Sequence, residues 1–179
     1  RRSKLSPKHQ IPLTGVEKTF SPDELIVSKT DTRGIITYAN DIFLKIAGYK
    51  ESEVIGMPHN FIRHPAMPHC AFKLLWDRIK TGKEIFAYVV NRTRTGDHYW
   101  VLAHVTPSFD AQGQIIGYHS NRRCPSRATI AKVEPLYRML SQIEASKSTP
   151  REGMEAAHAE LIRILEKDNI SYDEFVLSL

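Results

Sequence analysis

The two cysteines of this 179-residue sequence, Cys70 and Cys124, stand far apart, with neither a CxxC nor a Cys/His pair at zinc spacing. That argues against a disulfide framework and a zinc site, and it points to a reducing, cytoplasmic setting. No apolar run is long enough to span a bilayer, so the chain is expected to be soluble, with any membrane anchor outside it. The sequence begins without Met and shows no signal-peptide h-region, so it reads as a piece of a longer protein. GxGxxG, a Walker loop, a GxSxG elbow and CxxCH are all missing, which removes support for a Rossmann, NTPase, serine-hydrolase or covalent-haem reading. The net charge of +5 comes partly from Arg1, Arg2 and Lys4 and partly from Arg122, Arg123 and Arg127. These form no continuous basic stripe, so they read as solvated charges and not as a nucleic-acid face.

What is present is 41% hydrophobic residues, enough for a real core. Residues 1–20 carry prolines and no period and read as a loose lead-in. Leu25–Ser28 and Ile35–Tyr38, joined by a polar link ending in Gly34, read as a hairpin. Asn40 is placed to cap a helix carrying Phe43, Leu44, Ile46 and Ala47, stopped by Gly48. Strands are expected over Ile85–Thr93, His98–Pro107 and Gln114–Asn121, with turn chemistry between them. Ile130, Val133, Tyr137 and Leu140 form a narrow helical seam suited to a coiled coil or to docking on a sheet. Thr149–Glu152 and Ser171–Glu174 are capping boxes that open two further helices. The expected fold is α+β: an antiparallel five-stranded sheet with helices on one face, plus C-terminal helices. The expected division is a lead-in over 1–24, a domain over 25–123 and a helical extension over 124–179.

The most informative segment is Pro58–Pro68, PHNFIRHPAMP. A surface loop has no need of Phe61, Ile62 and Met67, and a core helix does not want Arg63, His64 and two prolines. The backbone must run extended at His64 and Met67, each of which precedes a proline. Phe72, Leu75, Trp76 and Ile79 then give one apolar helix face. The segment therefore reads as the wall of a buried pocket, with its polar side chains turned to a ligand. Trp76 at this spacing is core, pocket wall or both. His59, His64 and His69 recur every five residues, about 140° apart on an ideal helix, so they share no metal-binding face.

The order of strands, together with PHNFIRHPAMP, Trp76, NRTRTGDHYW and IIGYHSNR, resembles a PAS domain, and more narrowly the flavin-binding PAS sensors of bacterial aerotaxis receptors. The likeness covers about Leu25 to Arg123. It implies non-covalent FAD, with Asn60, Arg63 and His64 contacting it from the helical side, Asn91 from the sheet and Asn40 nearby. It also implies that flavin redox state is passed to a chemotaxis module. Two departures stand out: Ala66 where the receptors commonly have Asp, and Phe86 where Trp is usual. Lined up with the light-sensing LOV branch, His59 falls in the column of the photoreactive cysteine. In the same alignment Asn91 falls at an asparagine on the flavin pyrimidine edge, and His119 at a glutamine of the last strand.

Flavin needs two apolar walls, amides that match its pyrimidine edge, and cationic groups for its carbonyls and phosphates. Asn91 supplies both amide roles or closes a turn, and Arg63 forks to the cofactor or pairs with a surface carboxylate. FMN or a haem held by one histidine are rival ligands, and a cofactor-free interaction module is the rival of another class. A sensory domain, not an enzyme, is expected. It would work as a homodimer joined to a downstream signalling domain, with the helix from Ile130 to Leu140 carrying the output.

Overall fold

The computed structural model describes residues 11–179, so the first part of the expected lead-in, residues 1–10, lies outside the described residues. Two strands, β1 (Ile26–Thr30) and β2 (Ile36–Ala39), are followed by α1 (Asp41–Ala47), α2 (Glu51–Val54) and a 3-10 turn over His59–Ile62. Then come α3 (His69–Ile79), three long strands, β3 (Ile85–Arg92), β4 (His98–Phe109) and β5 (Ile115–Arg123), and the C-terminal helices α4 (Arg127–Ala145), α5 (Pro150–Lys167) and α6 (Tyr172–Leu177). All strand pairs are antiparallel, in the order β2-β1-β5-β4-β3. This is the expected α+β sheet. No helix among the described residues is long and apolar enough to cross a membrane.

Local chemistry sets the boundaries. The Asp31 carboxylate accepts the N–H groups of Arg33 and Ile35 and so closes the β1–β2 turn, while Gly34 takes the left-handed φ of 80° that the turn requires. Both C-terminal capping boxes form, Thr149 with Glu152 and Ser171 with Glu174. The lead-in differs from expectation, because residues 14–18 are paired. Thr14 N–H donates to Gly96 O, His98 N–H to Val16 O and Lys18 N–H to His98 O. The cause is an overhang: β4 starts at His98 but its ladder with β5 starts at Leu102, leaving backbone groups that the lead-in satisfies.

Alternation along the long strands separates two faces. Ala87, Val89 and Asn91 of β3 and Ala103 and Val105 of β4 face inward, beneath α1, the 3-10 turn and α3. On the outer face Trp100 stacks with Tyr137 of α4 at 6.0 Å, and the Tyr137 hydroxyl donates to Tyr88 O. The seam of Ile130, Val133, Tyr137 and Leu140 is buried, and Tyr137 is the member that joins it to the sheet, through Trp100 and Tyr88. α4 and α5 then turn back on each other with their backbones in contact, since a Cβ added at Gly153 would lie 2.3 Å from Glu144 O. Gly153→Ala is therefore expected to force the helix pair apart and cost ~2 kcal/mol, the scale of overpacking. Urea denaturation checks this as a lower midpoint at unchanged slope.

Candidate functional site

Between the inner face and α3 lies a hollow of about 160 Å³. Its floor is Val89, Ala103 and Val105 and its roof Phe72, Leu75, Trp76 and Ile79. The roof sits close because Gly34 has no side chain: a Cβ there would meet the Trp76 indole at 3.1 Å. Trp76 in turn meets Tyr118 of β5 edge-on at 5.5 Å. Tyr118 belongs to an inward run, Tyr118, Ser120 and Arg122, that alternates along β5.

The most buried charged group on the wall of the hollow is Arg122. It is 2% exposed, its Nη2 donates to Ser28 Oγ and its Nη1 lies 3.1 Å from His59 Nε2. A guanidinium can only donate, so His59 Nε2 accepts and carries no proton. Ser28 Oγ is also 3.1 Å from that nitrogen. Burial, with Arg122 beside it, pushes the His59 pKa down to about 3. Burial likewise pulls Arg122 down to about 10, with the buried Tyr99 acting weakly against the shift. None of the described ion pairs includes Arg122, and its Nε has no hydrogen-bond partner among the described residues. The planar group instead lies 5.1 Å from the centre of the Phe43 ring.

A second arginine repeats the pattern nearer the mouth. Arg63 pairs by its backbone with Asn91 at the free edge of β3, which brings the opening segment and the sheet together. Its guanidinium lies 3.9 Å over the Phe72 ring and its Nε is also buried without a partner among the described residues. Burial lowers its pKa, and the nearby Glu144 carboxylate opposes that shift. Asn91, 4% exposed, pairs across the ladder with Tyr99.

Of the residues singled out in the sequence, His59, Asn60, Arg63, Trp76 and Asn91 line the hollow. Asn40, His64, Phe86 and His119 lie elsewhere. Asn40 is the cap of α1: its Oδ1 accepts from Phe43 and Val27 N–H and its Nδ2 donates to Leu25 O, so its amide is consumed in holding β1 to α1. His64 turns away, its Nδ1 accepting Ala66 N–H and its ring 5.7 Å from His98. Phe86 is on the outer face, stacked on His104 at 4.2 Å. His119 is outward too, with Nε2 3.0 Å from Asn121 Oδ1. Ala66, the departure noted in the sequence, is exposed on a turn and does not line the hollow. The sequence reading missed Arg122, Ser28, Tyr118 and Ser120. Their shared parity was the available signal.

The donors suit a flat heteroaromatic ligand with oxygen at its edge. Two guanidinium Nε–H groups lack acceptors among the described residues, amides are offered by Asn91 and Asn60, and apolar walls stand above and below. Among the described residues no cluster of His, Cys, Asp or Glu is arranged to hold a metal ion.

The PAS fold family matches residues 36–122. The chain is 43% identical over 128 residues to the aerotaxis receptor of Escherichia coli, covering 72% of this chain and 25% of the receptor. It is 31% identical over 87 residues to the biofilm dispersion protein of Pseudomonas aeruginosa, covering 48% of this chain and 21% of that protein. The matched region thus spans a quarter or less of these relatives. Among solved structures, the light-state LOV domain of the blue-light photoreceptor Aureochrome1 matches with a TM-score of 0.56 at 24% identity, over 62% of this chain and 88% of that one. That likeness is one of fold.

Proposed function

Residues 36–122 are a PAS domain, and from that premise we propose that the hollow holds a flavin, FAD by the resemblance of its motifs, and serves as a sensor of redox or energy state. In this reading the domain acts in the cytoplasm, in a homodimer, and passes its state through α4 to a signalling domain of a longer chain, in a chemotaxis-type system. The observation that carries the reading is Arg122, a buried guanidinium on the hollow wall with no carboxylate paired to it among the described residues. Burying a cation without a counter-charge costs several kcal/mol. A ligand edge rich in carbonyl or phosphate oxygen offsets that cost, and the unpartnered Arg63 Nε offers it a second donor.

A bound flavin supplies a redox centre and a chromophore. The chain supplies the setting. Arg122 and Arg63 direct positive charge into the hollow, Asn91 offers one donor and one acceptor, and His59 stays neutral. Phe72, Leu75 and Trp76 keep water from one face and Val89, Ala103 and Val105 from the other. A sensory role is consistent with a relative named an aerotaxis receptor. Haem is the poorer fit: among the described residues His59 is the histidine on the hollow wall, and its Nε2 faces Arg122.

An absorption spectrum of the protein loaded with FAD tests the reading. Bound flavin gives bands near about 370 and 450 nm, bound haem gives a Soret band, and a cofactor-free module gives neither. Arg63→Ala and Asn91→Ala are each expected to weaken FAD binding about tenfold or more, with the fold intact by circular dichroism. Full affinity in both variants would remove these two residues from the site.

A further inference from the structure

The hollow as it stands encloses about one ring of the ligand proposed for it, so taking in the whole tricyclic ring system requires one wall to move. A cavity of about 150 Å³ accommodates a single benzene ring, and this one is about 160 Å³, whereas a flavin carries three fused rings. The floor cannot give, because β3, β4 and β5 are joined by continuous ladders. The wall that can give is α3, moving together with α5 packed along its back. It follows the Pro65–Pro68 turn and ends before Gly82, whose φ is 84°, so both of its ends join segments outside any ladder.

Carboxylates from the C-terminal helices hold both of those ends. At the N-terminus of α3, Glu144 of α4 accepts Cys70 N–H at 2.8 Å and His69 N–H at 3.1 Å, and contacts His69 Nδ1 at 3.0 Å. Near its C-terminus, Asp173 of α6 accepts from Arg78 Nη2 at 2.7 Å and from Phe86 N–H of β3 at 3.3 Å. Arg78 also donates through Nε to Glu84 O, which ties this end to the start of β3. Between the two grips α5 lies along the back of α3, with His158 near Lys73 and Asp77.

We infer that Glu144 and Asp173 are latches on the roof of the hollow: they hold α3 in its closed position and set the rate at which a tricyclic ligand enters. The inference rests on the flavin reading for the identity of the ligand, but not for the existence of the latch. A hydrogen bond is lost once donor and acceptor separate beyond about 3.5 Å, so a small outward swing of α3 breaks these contacts. The coupling is reciprocal. Whatever frees the carboxylates eases entry, and whatever fills the hollow loosens the hold of 127–179 on α3. Glu144 and Asp173 are positioning residues, since neither lines the hollow.

The test compares wild type, Glu144→Ala, Asp173→Asn and the double variant in the full chain. Hydrogen exchange followed by mass spectrometry, without ligand, is expected to show amides 70–79 exchanging at least about tenfold faster in the double variant, with β4 as protected as in wild type. FMN uptake, read by stopped-flow fluorescence, is expected to be at least about tenfold faster as well. Unchanged exchange at 70–79 overturns the inference whether or not FMN binds. Exchange that rises equally in β4 marks general destabilisation and overturns it too. Faster exchange with an unchanged FMN association rate shows that the roof is not the entrance, which equally overturns the latch. Should wild type take up neither FMN nor FAD, the flavin reading falls, and the exchange measurement alone decides the latch.

Discussion

Arg122→Met is expected to melt at a higher temperature than wild type without ligand, and to bind flavin at least about 100-fold more weakly. Both effects come from one imbalance. The guanidinium has been taken out of water, no carboxylate among the described residues is paired with it, and one of its N–H groups bonds to none of them. Replacing buried ionic groups by apolar residues of similar volume is neutral or stabilising by about 1–4 kcal/mol. For a chain of this size each kcal/mol moves Tm by roughly 2–4 °C. Methionine follows the same unbranched path past the Phe43 ring. It leaves no orphan behind, because Ser28 Oγ and His59 Nε2 already lie within bonding distance of each other. The ligand loses a forked, charge-assisted donor in a dry site, worth about 1.5–3 kcal/mol for each bond lost. A thermal melt and a flavin titration on the same sample read the two effects. A lower Tm with undiminished affinity would make Arg122 a structural residue and take away the main support for a ligand in the hollow.

Turn chemistry made much of the fold legible. Asp31 with Gly34, Asn40 with Gly48 and the two C-terminal capping boxes are local devices, and each sits where the sequence places it. Asn91 was legible for a related reason: it continues the small inward residues Ala87 and Val89, so period two alone carries it to the hollow. His119 shows the weakness of that same rule. Side chains alternate strictly along a strand, so an alignment displaced by one residue exchanges the faces. Tyr118, Ser120 and Arg122 point inward while His119 points out. Arg122 was hidden by its company as well. Beside Arg123 and near Arg127 it reads as one more solvated charge, and its burial depends on Ser28 and His59, which are 94 and 63 residues away in sequence. The latches are less legible still. Glu144 reaches His69 across 75 residues, and Asp173 reaches Arg78 across 95. In sequence both read as ordinary acidic positions on amphipathic helices.

Acid is expected to unfold the protein early, and His59→Gln to remove a large part of that sensitivity. The folded pKa of His59 is about 3 against an ordinary value of 6.5, because burial and the adjacent Arg122 both disfavour a second proton. The sign follows from proton counting. Below pH 6.5 the unfolded chain binds a proton at this residue and the folded chain does not, so stability falls as pH falls, through the window from 6.5 down to about 3. The slope approaches about 1.4 kcal/mol per pH unit, for a loss of up to about 5 kcal/mol at the bottom of the window. Part of the His59 surface faces the hollow, and water entering there reduces this figure. His64 and His158 are also held below their ordinary values by burial, so they add to the slope with the same sign. The carboxylates Glu24, Asp31, Glu53 and Glu174 have lowered values, and their contribution is lost only as pH falls through the carboxylate range. Between pH 6.5 and 5 the difference between wild type and His59→Gln therefore isolates the imidazole. Urea denaturation at several pH values in that range measures it. Parallel stability curves for the two proteins would mean that His59 takes up its proton in the folded state, which the Arg122 Nη1 placed 3.1 Å from its Nε2 argues against.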